Sequence, residues 1–328
     1  MKKNGIVLIV VAVVLAVAAY FVTNKSGEKV PRLAGKKILP AFSLADVAKI
    51  DVGEKLALSA SDQGWVIDSL YGYRADREKI MENLLKLQDL KVGQVARGRK
   101  IASPMKVSLK DGAGKEIAAV ALGEAHAKKG MNQAAMMYGG SFADGRYVEF
   151  EGETVLVNDA LEAFNGDAKK WCSPRIASLD SSAVEAVAFA HAGEIVELTK
   201  GTNSVWTMKG LAANEELDTS KTYSLDSALS YLDFAAVVDP NLSEAELGFA
   251  TGYVYTVTIK GGTNHVATVG NIVKGKGTRY FKLDDSKWIY TISSYAAANM
   301  MKTRKDLVKA KETKDETKVA NEKKDATK

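Results

Sequence analysis

The stretch Lys106–Leu122, KVSLKDGAGKEIAAVAL, predicts a β-hairpin. Its two strand-like segments, Lys106–Leu109 and Glu116–Leu122, flank the residues Lys110-Asp111-Gly112-Ala113-Gly114. Asp and Gly between two such segments favour a tight reversal of the chain. A second hairpin of this kind follows at Val254–Val269, around a Gly-Gly turn. Antiparallel strands are therefore expected in both halves of the chain.

The elements around the first hairpin define a plan. In chain order they are strands at Lys49–Val52, Lys55–Leu58 and Gly64–Ile67, a helix over Arg74–Val92, the hairpin, strands at Arg146–Phe150 and Thr154–Val157, and a helical stretch from Asp159 to Asn165 that runs towards Trp171. Alternation of apolar and polar residues and turn signals predict the strands. Ile80, Leu84 and Leu87 recur at helical spacing, which predicts an amphipathic helix.

The second half of the chain repeats this plan. Its elements are strands at Ala186–Phe189, Glu194–Leu198 and Val205–Met208, a helix over Leu225–Val238, the second hairpin, strands at Arg279–Leu283 and Trp288–Ile292, and a closing helix over Ser293–Val308. The period, about 135 to 145 residues, exceeds that of solenoid repeats and indicates domain duplication. We expect an α+β fold of two tandem similar lobes, 39–179 and 180–308, in which helices pack on antiparallel strands.

An apolar run precedes both lobes. Gly5–Val22 carries no charge, follows Lys2 and Lys3, and spans roughly 27 Å as a helix, close to the hydrocarbon thickness of a bilayer. We expect residues 1–24 to be a transmembrane anchor. The segment Ala16-Val17-Ala18 leaves a cleaved signal peptide open as an alternative. A lipoprotein is excluded because the one cysteine, Cys172, is far from any lipidation position.

The position of the body relative to the membrane follows from the flanks of this run. The short basic start favours export, although the lysines and arginine after the run argue the other way under the positive-inside rule. We expect a single-pass protein of the bacterial inner membrane with a periplasmic body. Residues 25–38 are polar and basic and predict a stalk. Residues 309–328 are almost free of apolar side chains and predict a disordered charged tail.

Composition agrees with a folded body and excludes one class of partner. Hydrophobic residues make up 46% of the chain and charged residues 26%, as in ordinary globular proteins. The net charge of +5 is small for 328 residues and is spread along the chain, so we expect no binding of nucleic acid. One cysteine permits no intramolecular disulfide.

Motifs for catalysis or cofactors are weak. The loop Gly270–Thr278, GNIVKGKGT, begins like a phosphate-binding loop but places Gly277 where the motif needs Ser or Thr, and a strand is predicted to follow. A loop of similar composition is predicted at Gly123–Gly130. Both are expected to be connections between strands, and we expect no cofactor.

Metal ligands and nucleophiles are also scarce. His126, His191 and His265 are scattered along the chain, which argues against a metal site. A lone cysteine such as Cys172 is more often a packed side chain than a nucleophile. Three tryptophans on predicted strands are candidates for the cores of the repeats, with a ligand platform as the alternative: Trp65, Trp206 and Trp288. No catalytic residue is predicted.

Four segments resemble the bacterial domain of unknown function 4340 family. They are Ile38–Ile50, Gly64-Trp65, Arg74-Ala75-Asp76 and Asp167–Ile176. The resemblance implies a membrane-anchored extracytoplasmic protein, similar to auxiliary components of gliding-motility-type ABC transporters. It implies no catalytic residues.

The sequence is compatible with three functions. The expected one is a non-catalytic scaffold or accessory subunit of a membrane assembly, with ABC transporter subunits as possible partners. An alternative is a binding module that takes a small molecule, lipid or glycan in a cleft between the lobes. A hydrolase whose site is assembled from residues distant in sequence is the second alternative.

Overall fold

A computed structural model describes residues 33–127 and 143–311. Within them the protein is mostly antiparallel β-sheet with few helices. Contacts divide the chain into two compact units. The first comprises the residues up to Ala60 together with Arg77–Asp167, and the second comprises Ser61–Asp76 together with the residues from Ala168 onwards. This division differs from the predicted lobes in two ways. Residues 61–76 group with the second unit, and the second segment of that unit begins at residue 168 rather than at residue 180.

Seven strands of the first unit form one antiparallel series. They are β1 (Lys49–Val52), β2 (Leu56–Ser61), β5 (Gln94–Val95), β6 (Met105–Lys110), β7 (Glu116–Ala127), β8 (Ala143–Phe150) and β9 (Glu153–Val157). Their order across the sheet is β2-β1-β6-β7-β8-β9-β5. The predicted hairpin is present as β6 and β7, with Val107 opposite Val120. Strand β7 continues to Ala127, so the loop predicted from Gly123 does not begin there.

The amphipathic helix of the first unit is present as α1, Arg77–Asp89. Its apolar side chains Ile80, Leu84 and Leu87 are fully buried. Ile50 of β1 and Leu58 of β2 are fully buried as well, so helix and sheet both contribute to the interior of the unit.

Residues 33–38, assigned to the predicted stalk, are instead folded onto the first unit. Leu33 is 3% exposed. The N–H of Gly35 donates to the carbonyl of Val92 at 2.8 Å, and the N–H of Ile38 donates to that of Leu90 at 2.9 Å. An apolar side chain and a set of backbone partners thus hold a segment that looks polar in sequence.

The helix predicted from Asp159 is wrong. The Asp159 carboxylate accepts from the N–H of Leu161 at 2.7 Å, and Leu161 has a φ of 48°. This local bond competes with helix formation. A 3₁₀ turn follows at Ala168–Trp171.

The main sheet of the second unit contains eight strands. They are β11 (Val184–His191), β12 (Glu194–Lys200), β13 (Trp206–Met208), β16 (Ala236–Val237), β17 (Tyr253–Ile259), β18 (Thr263–Ile272), β19 (Thr278–Leu283) and β20 (Ile289–Ser293). Their order is β13-β12-β11-β17-β18-β19-β20-β16. The predicted second hairpin is β17 and β18, with Val257 opposite His265.

Shorter pairs complete the second unit. They are β3 (Gly64–Ile67) with β4 (Tyr73–Arg74), β10 (Arg175–Ala177) with β15 (Leu232–Asp233), and β14 (Glu215–Leu217) with β21 (Val308–Ala310). Three short helices are α2 (Glu244–Leu247), α3 (Ser294–Ala298) and α4 (Arg304–Leu307).

The helix predicted over Leu225–Val238 is wrong, although its apolar residues are buried. Leu225 and Leu229 lie in turns, and the hydroxyl of Ser227 donates to the carbonyl of Ser224 at 3.3 Å. Serine hydroxyls offer the backbone local partners that compete with a helix.

The C-terminal predictions also need correction. The predicted closing helix is two short helices, α3 and α4, followed by β21. Lys309 and Ala310 lie in β21, opposite Glu216 and Glu215, so the predicted charged tail does not start at residue 309. Lys309 also pairs with Glu216 at 3.0 Å, which adds charge complementarity to the backbone ladder.

None of the helices within residues 33–127 and 143–311 combines the length and apolar character needed to span a bilayer. The predicted anchor, Gly5–Val22, lies outside the described residues.

Candidate functional site

A small cleft in the second unit brings together two of the segments that carry the family resemblance. Its volume is about 230 Å³, and its lining residues are Tyr73, Arg74, Ala75, Asp76, Ser173 and Arg175. One wall comes from the Arg74-Ala75-Asp76 segment and the other from the end of the 167–176 segment. Residues about a hundred positions apart in sequence therefore share one site.

The first wall is positioned by a tight connection between β3 and β4. Tyr71 and Gly72 both have left-handed backbone conformations, with φ of 57° and 74°. The N–H of Gly72 donates to the carbonyl of Ile67 at 3.1 Å, which closes the turn. After β4, the N–H of Ala75 donates to the carbonyl of Trp65 at 2.8 Å. The turn thus places the Tyr73 and Arg74 side chains beside the cleft.

The second wall is positioned by two buried side chains that precede it. Trp171 and Cys172 are both 0% exposed. The carbonyl of Trp171 accepts from the N–H of Asp76 at 2.7 Å and so ties the two walls together. Beyond the cleft, the carbonyl of Pro174 accepts from the N–H of Phe234 at 2.9 Å. The backbone is therefore fixed on both sides of Ser173.

Arg175 is held by Asp233 of β15 and by Tyr231, which precedes that strand. Its Nε donates to the Asp233 carboxylate at 2.5 Å. Its guanidinium also lies over the ring of Tyr231, a cation–π contact. Tyr231 is nevertheless 76% exposed. Arg175, which lines the cleft, is thus fixed on one edge and on one face.

Arg74 has a different environment. Its side chain is exposed, and among the residues that the structure describes no carboxylate lies within ion-pair distance of it. The Ser173 hydroxyl oxygen accepts from the N–H of Arg175 at 3.3 Å, which leaves its O–H as a donor. The cleft therefore offers hydrogen-bond donors of three side chains: Arg74, Ser173 and Arg175.

An aromatic cluster backs the cleft. The Tyr73 ring packs edge-on against Phe234, Trp288 and Tyr290, with centroid distances of 5.4, 5.5 and 6.2 Å. Burial raises the pKa of Tyr73 because it penalises the phenolate, and the nearby Tyr290 raises it further. The phenol of Tyr73 is therefore neutral at physiological pH, and the back of the cleft carries no negative charge.

The predicted core tryptophans differ in burial. Trp206 in β13 is 7% exposed, and the Lys200 ammonium lies 5.8 Å from its ring centroid. Trp65 and Trp288 are partly exposed. Trp288 belongs to the aromatic cluster behind the cleft.

The predicted nucleophile and metal-ligand candidates lie in other surroundings. The fully buried Cys172 donates from Sγ to the carbonyl of Ala168 at 3.7 Å. His126 contacts Asp144 at 2.6 Å, and His191 stacks on Tyr253 at 3.6 Å between centroids. In residues 33–127 and 143–311 no group of three or more His, Cys, Asp or Glu side chains could hold a metal ion.

The near-match to a phosphate loop is a connection between strands. Gly270, Asn271 and Ile272 belong to β18, and β19 begins at Thr278. A strand follows the loop, as the sequence predicts, so the helix N-terminus that would hold a phosphate does not follow it.

Sequence reasoning missed the polar residues of the cleft and the aromatic ring that contacts Arg175. Tyr231 falls in a segment predicted to be helical, and Arg175 lies in a segment that only the family resemblance distinguishes. The available signal was the pair of segments around Arg74 and Arg175, each distinctive in sequence but far apart. Their convergence depends on the hydrogen bond from the N–H of Asp76 to the carbonyl of Trp171, which no local pattern indicates.

Comparison with known proteins gives one match. The family model described as Domain of unknown function (DUF4340) matches residues 65–250, which include the whole cleft and more than half of the 328-residue chain. No curated protein and no solved structure matches the chain. On the strength of this family match, the chain belongs to the DUF4340 family.

Proposed function

We propose that this protein is a non-catalytic, membrane-anchored extracytoplasmic protein that acts by binding, as a scaffold or accessory subunit of a membrane assembly such as an ABC transporter. The apolar run Gly5–Val22 behind Lys2 and Lys3 supports the inner-membrane anchor and the periplasmic body. The family resemblance supports the assembly as the place of action.

The pair formed by Arg175 and Tyr231 carries this proposal. Tyr and Arg are enriched at protein interfaces and among the residues that contribute most to binding energy. The Tyr231 ring is 76% exposed, and Arg175 is already fixed by Asp233 and by that ring. A surface whose side chains are ordered before binding loses less conformational entropy on association.

The proposal extends to the relationship between the two halves of the chain. We infer that residues 39–179 and 180–308 derive from one duplicated plan and form two tandem similar lobes. The series β2-β1-β6-β7-β8-β9-β5 and β12-β11-β17-β18-β19-β20-β16 have the same sequence of connections.

The test is recovery of partners from native cells. The full-length protein is crosslinked in its own membrane, solubilised mildly and purified, and the partners are identified by mass spectrometry. We expect stoichiometric permease or ATPase subunits with the wild type and with Tyr223→Ala, and a loss of about ten-fold or more with Tyr231→Ala. Tyr223 is a matched control because it is 84% exposed. Recovery of the protein alone would contradict the proposal.

A second candidate function is supported by the cleft itself. Small-molecule sites are concave and contain a small number of polar groups that orient the ligand, and this cleft is lined by donors of Arg74, Ser173 and Arg175. A binding module for a small molecule, lipid or glycan is therefore the second proposal, with its site in the second unit.

A further inference from the structure

The donors of the cleft match one class of ligand. Arg74 and Arg175 contribute guanidinium groups, and Ser173 contributes a hydroxyl. Guanidinium groups bind carboxylate and phosphate through paired, charge-assisted N–H donors. We propose that the cleft binds a single oxyanion group, a carboxylate or a phosphate, carried by a soluble small molecule or by a lipid headgroup. This inference rests on the second proposed function and gives its ligand a chemistry.

Arg175 is prepared for such a ligand. Asp233 occupies its Nε edge, and Tyr231 covers one face of its guanidinium. The terminal Nη nitrogens have no hydrogen-bond partner among the residues that the structure describes. Because the side chain is already ordered, the ligand does not have to bear that entropy cost.

Arg74 contributes a second guanidinium group to the cleft. It lies on the opposite wall from Arg175 and has no ion-pair partner within the described part of the chain. The phenol of Tyr73 stays neutral, so it adds no repulsion at the back of the cleft. An anion placed between the two walls would therefore meet donors from both.

The size of the cleft limits what enters it. Sites for whole drug-sized ligands measure about 300–1,000 Å³, whereas this cleft measures about 230 Å³. It accommodates a charged group and its immediate neighbours. The rest of the ligand would extend towards solvent.

Substitution of Asp76 should change the affinity for an anion in a direction that can be tested. Asp76 lines the same cleft, and a negative charge near the site opposes an anion. Asp76 directly precedes α1, a position at which Asn serves as well as Asp. Asp76→Asn should therefore strengthen anion binding without harming the fold.

The experiment is calorimetric titration of the full-length protein, held in phosphatidylcholine nanodiscs at low salt, with inorganic phosphate. We expect saturable binding to the wild type. Arg74→Gln should weaken it about ten-fold or more, the loss of one charge-assisted hydrogen bond. Arg97→Gln, which removes an exposed arginine of the first unit, should leave it unchanged. Asp76→Asn should tighten it, a gain that misfolding could not produce.

Several results would overturn the inference. They are an absence of phosphate binding, equal affinities of Arg74→Gln and Arg97→Gln, or weaker binding by Asp76→Asn. A parallel titration with glucose, a neutral sugar, distinguishes failure of the oxyanion inference from failure of the second proposed function. Binding of glucose but not of phosphate would overturn only the proposal that the ligand carries an oxyanion. Binding of neither would count against any ligand binding in the cleft.

A second set of nanodiscs identifies the source of the oxyanion. If a lipid headgroup is the natural occupant, phosphatidylglycerol in the discs should compete and suppress phosphate binding. If a soluble anion is the occupant, phosphate should bind equally in both kinds of disc. Either result is compatible with the inference once the Arg74 and Asp76 variants behave as expected.

Discussion

Arg146 donates a hydrogen bond from Nε to the backbone carbonyl of Gly123 at 2.9 Å. The second unit contains a matching pair, since Arg279 donates from Nη1 to the carbonyl of Gly270 at 3.0 Å. In each unit the arginine lies on the strand that follows the glycine's strand in the sheet, β8 after β7 and β19 after β18. The same contact between an arginine side chain and a glycine carbonyl therefore joins neighbouring strands in both sheets.

The two arginines should differ in their contribution to stability. Arg146 is 9% exposed and also donates from Nη1 to the carbonyls of Leu161 and Phe164, both at 3.0 Å. Arg146→Met would leave three buried carbonyls without this donor, and each costs roughly 1–3 kcal/mol. We expect urea unfolding of the full-length protein to show a loss of several kcal/mol for Arg146→Met and a smaller loss for Arg279→Met. Equal losses would contradict the prediction.

The paired glycines give a second comparison. A Cβ at Gly270 would lie 2.1 Å from the carbonyl oxygen of Leu247, a backbone atom that cannot yield easily. A Cβ at Gly123 would lie 2.8, 2.9 and 3.1 Å from Cδ1, Cγ1 and Cγ2 of Ile101, side-chain atoms that can shift more easily than a backbone carbonyl. Gly270→Ala should therefore lower the free energy of unfolding by about 2–3 kcal/mol, and Gly123→Ala by less. Thermal unfolding with the reverse order would refute this reasoning.

Two lysines with equal ion-pair distances should behave differently. Lys200–Asp226 and Lys209–Glu197 both measure 2.6 Å, but their side chains are 16%/16% and 79%/49% exposed. Lys200→Met leaves the mostly buried carboxylate of Asp226 without its lysine partner and should cost about 2 kcal/mol. Lys209→Met should leave the unfolding free energy unchanged within error, because exposed pairs contribute little. Chemical denaturation of both variants checks this, and a clear loss for Lys209→Met would contradict it.

Alkaline pH should destabilise the protein through its buried tyrosines. Burial raises the pKa of Tyr73 and of Tyr255, so both stay protonated in the folded state when they would ionise in the unfolded chain. Their contribution to the free energy of unfolding is complete below pH about 10, the pKa of an unfolded tyrosine. Above that pH the contribution falls, by up to about 1.4 kcal/mol per tyrosine for each pH unit. We expect Tyr73→Phe to reduce this slope in denaturation between about pH 9.5 and 11.5. Tyr223→Phe, at an exposed position, should leave the slope unchanged.

Local patterns predicted the regular parts of the fold. The hairpins around Asp111 and Gly261 have turn residues between strand-like segments, and α1 has buried residues at helical spacing. These features depend on neighbours in sequence, so they are visible in the sequence alone.

The failures occur where distant or side-chain contacts decide the structure. Leu225 and Leu229 have helical spacing, yet serine hydroxyls bond to nearby carbonyls and the segment forms turns. The carbonyls of Leu161 and Phe164 accept from Arg146, a residue of β8, in place of helical N–H groups. The cleft was missed for the same reason, since Arg74 and Arg175 meet only in the folded chain.

The most direct test of partner binding through the cleft surface uses a photoreactive amino acid in living cells. A benzoylphenylalanine replaces Tyr231 in one full-length variant and Tyr223 in another, both exposed positions. After irradiation, we predict a crosslink to a membrane transporter subunit from position 231 and none, or far less, from position 223. Equal crosslinking from both positions, or no crosslink from position 231 although the variant reaches the membrane, would contradict binding at the Arg175–Tyr231 surface.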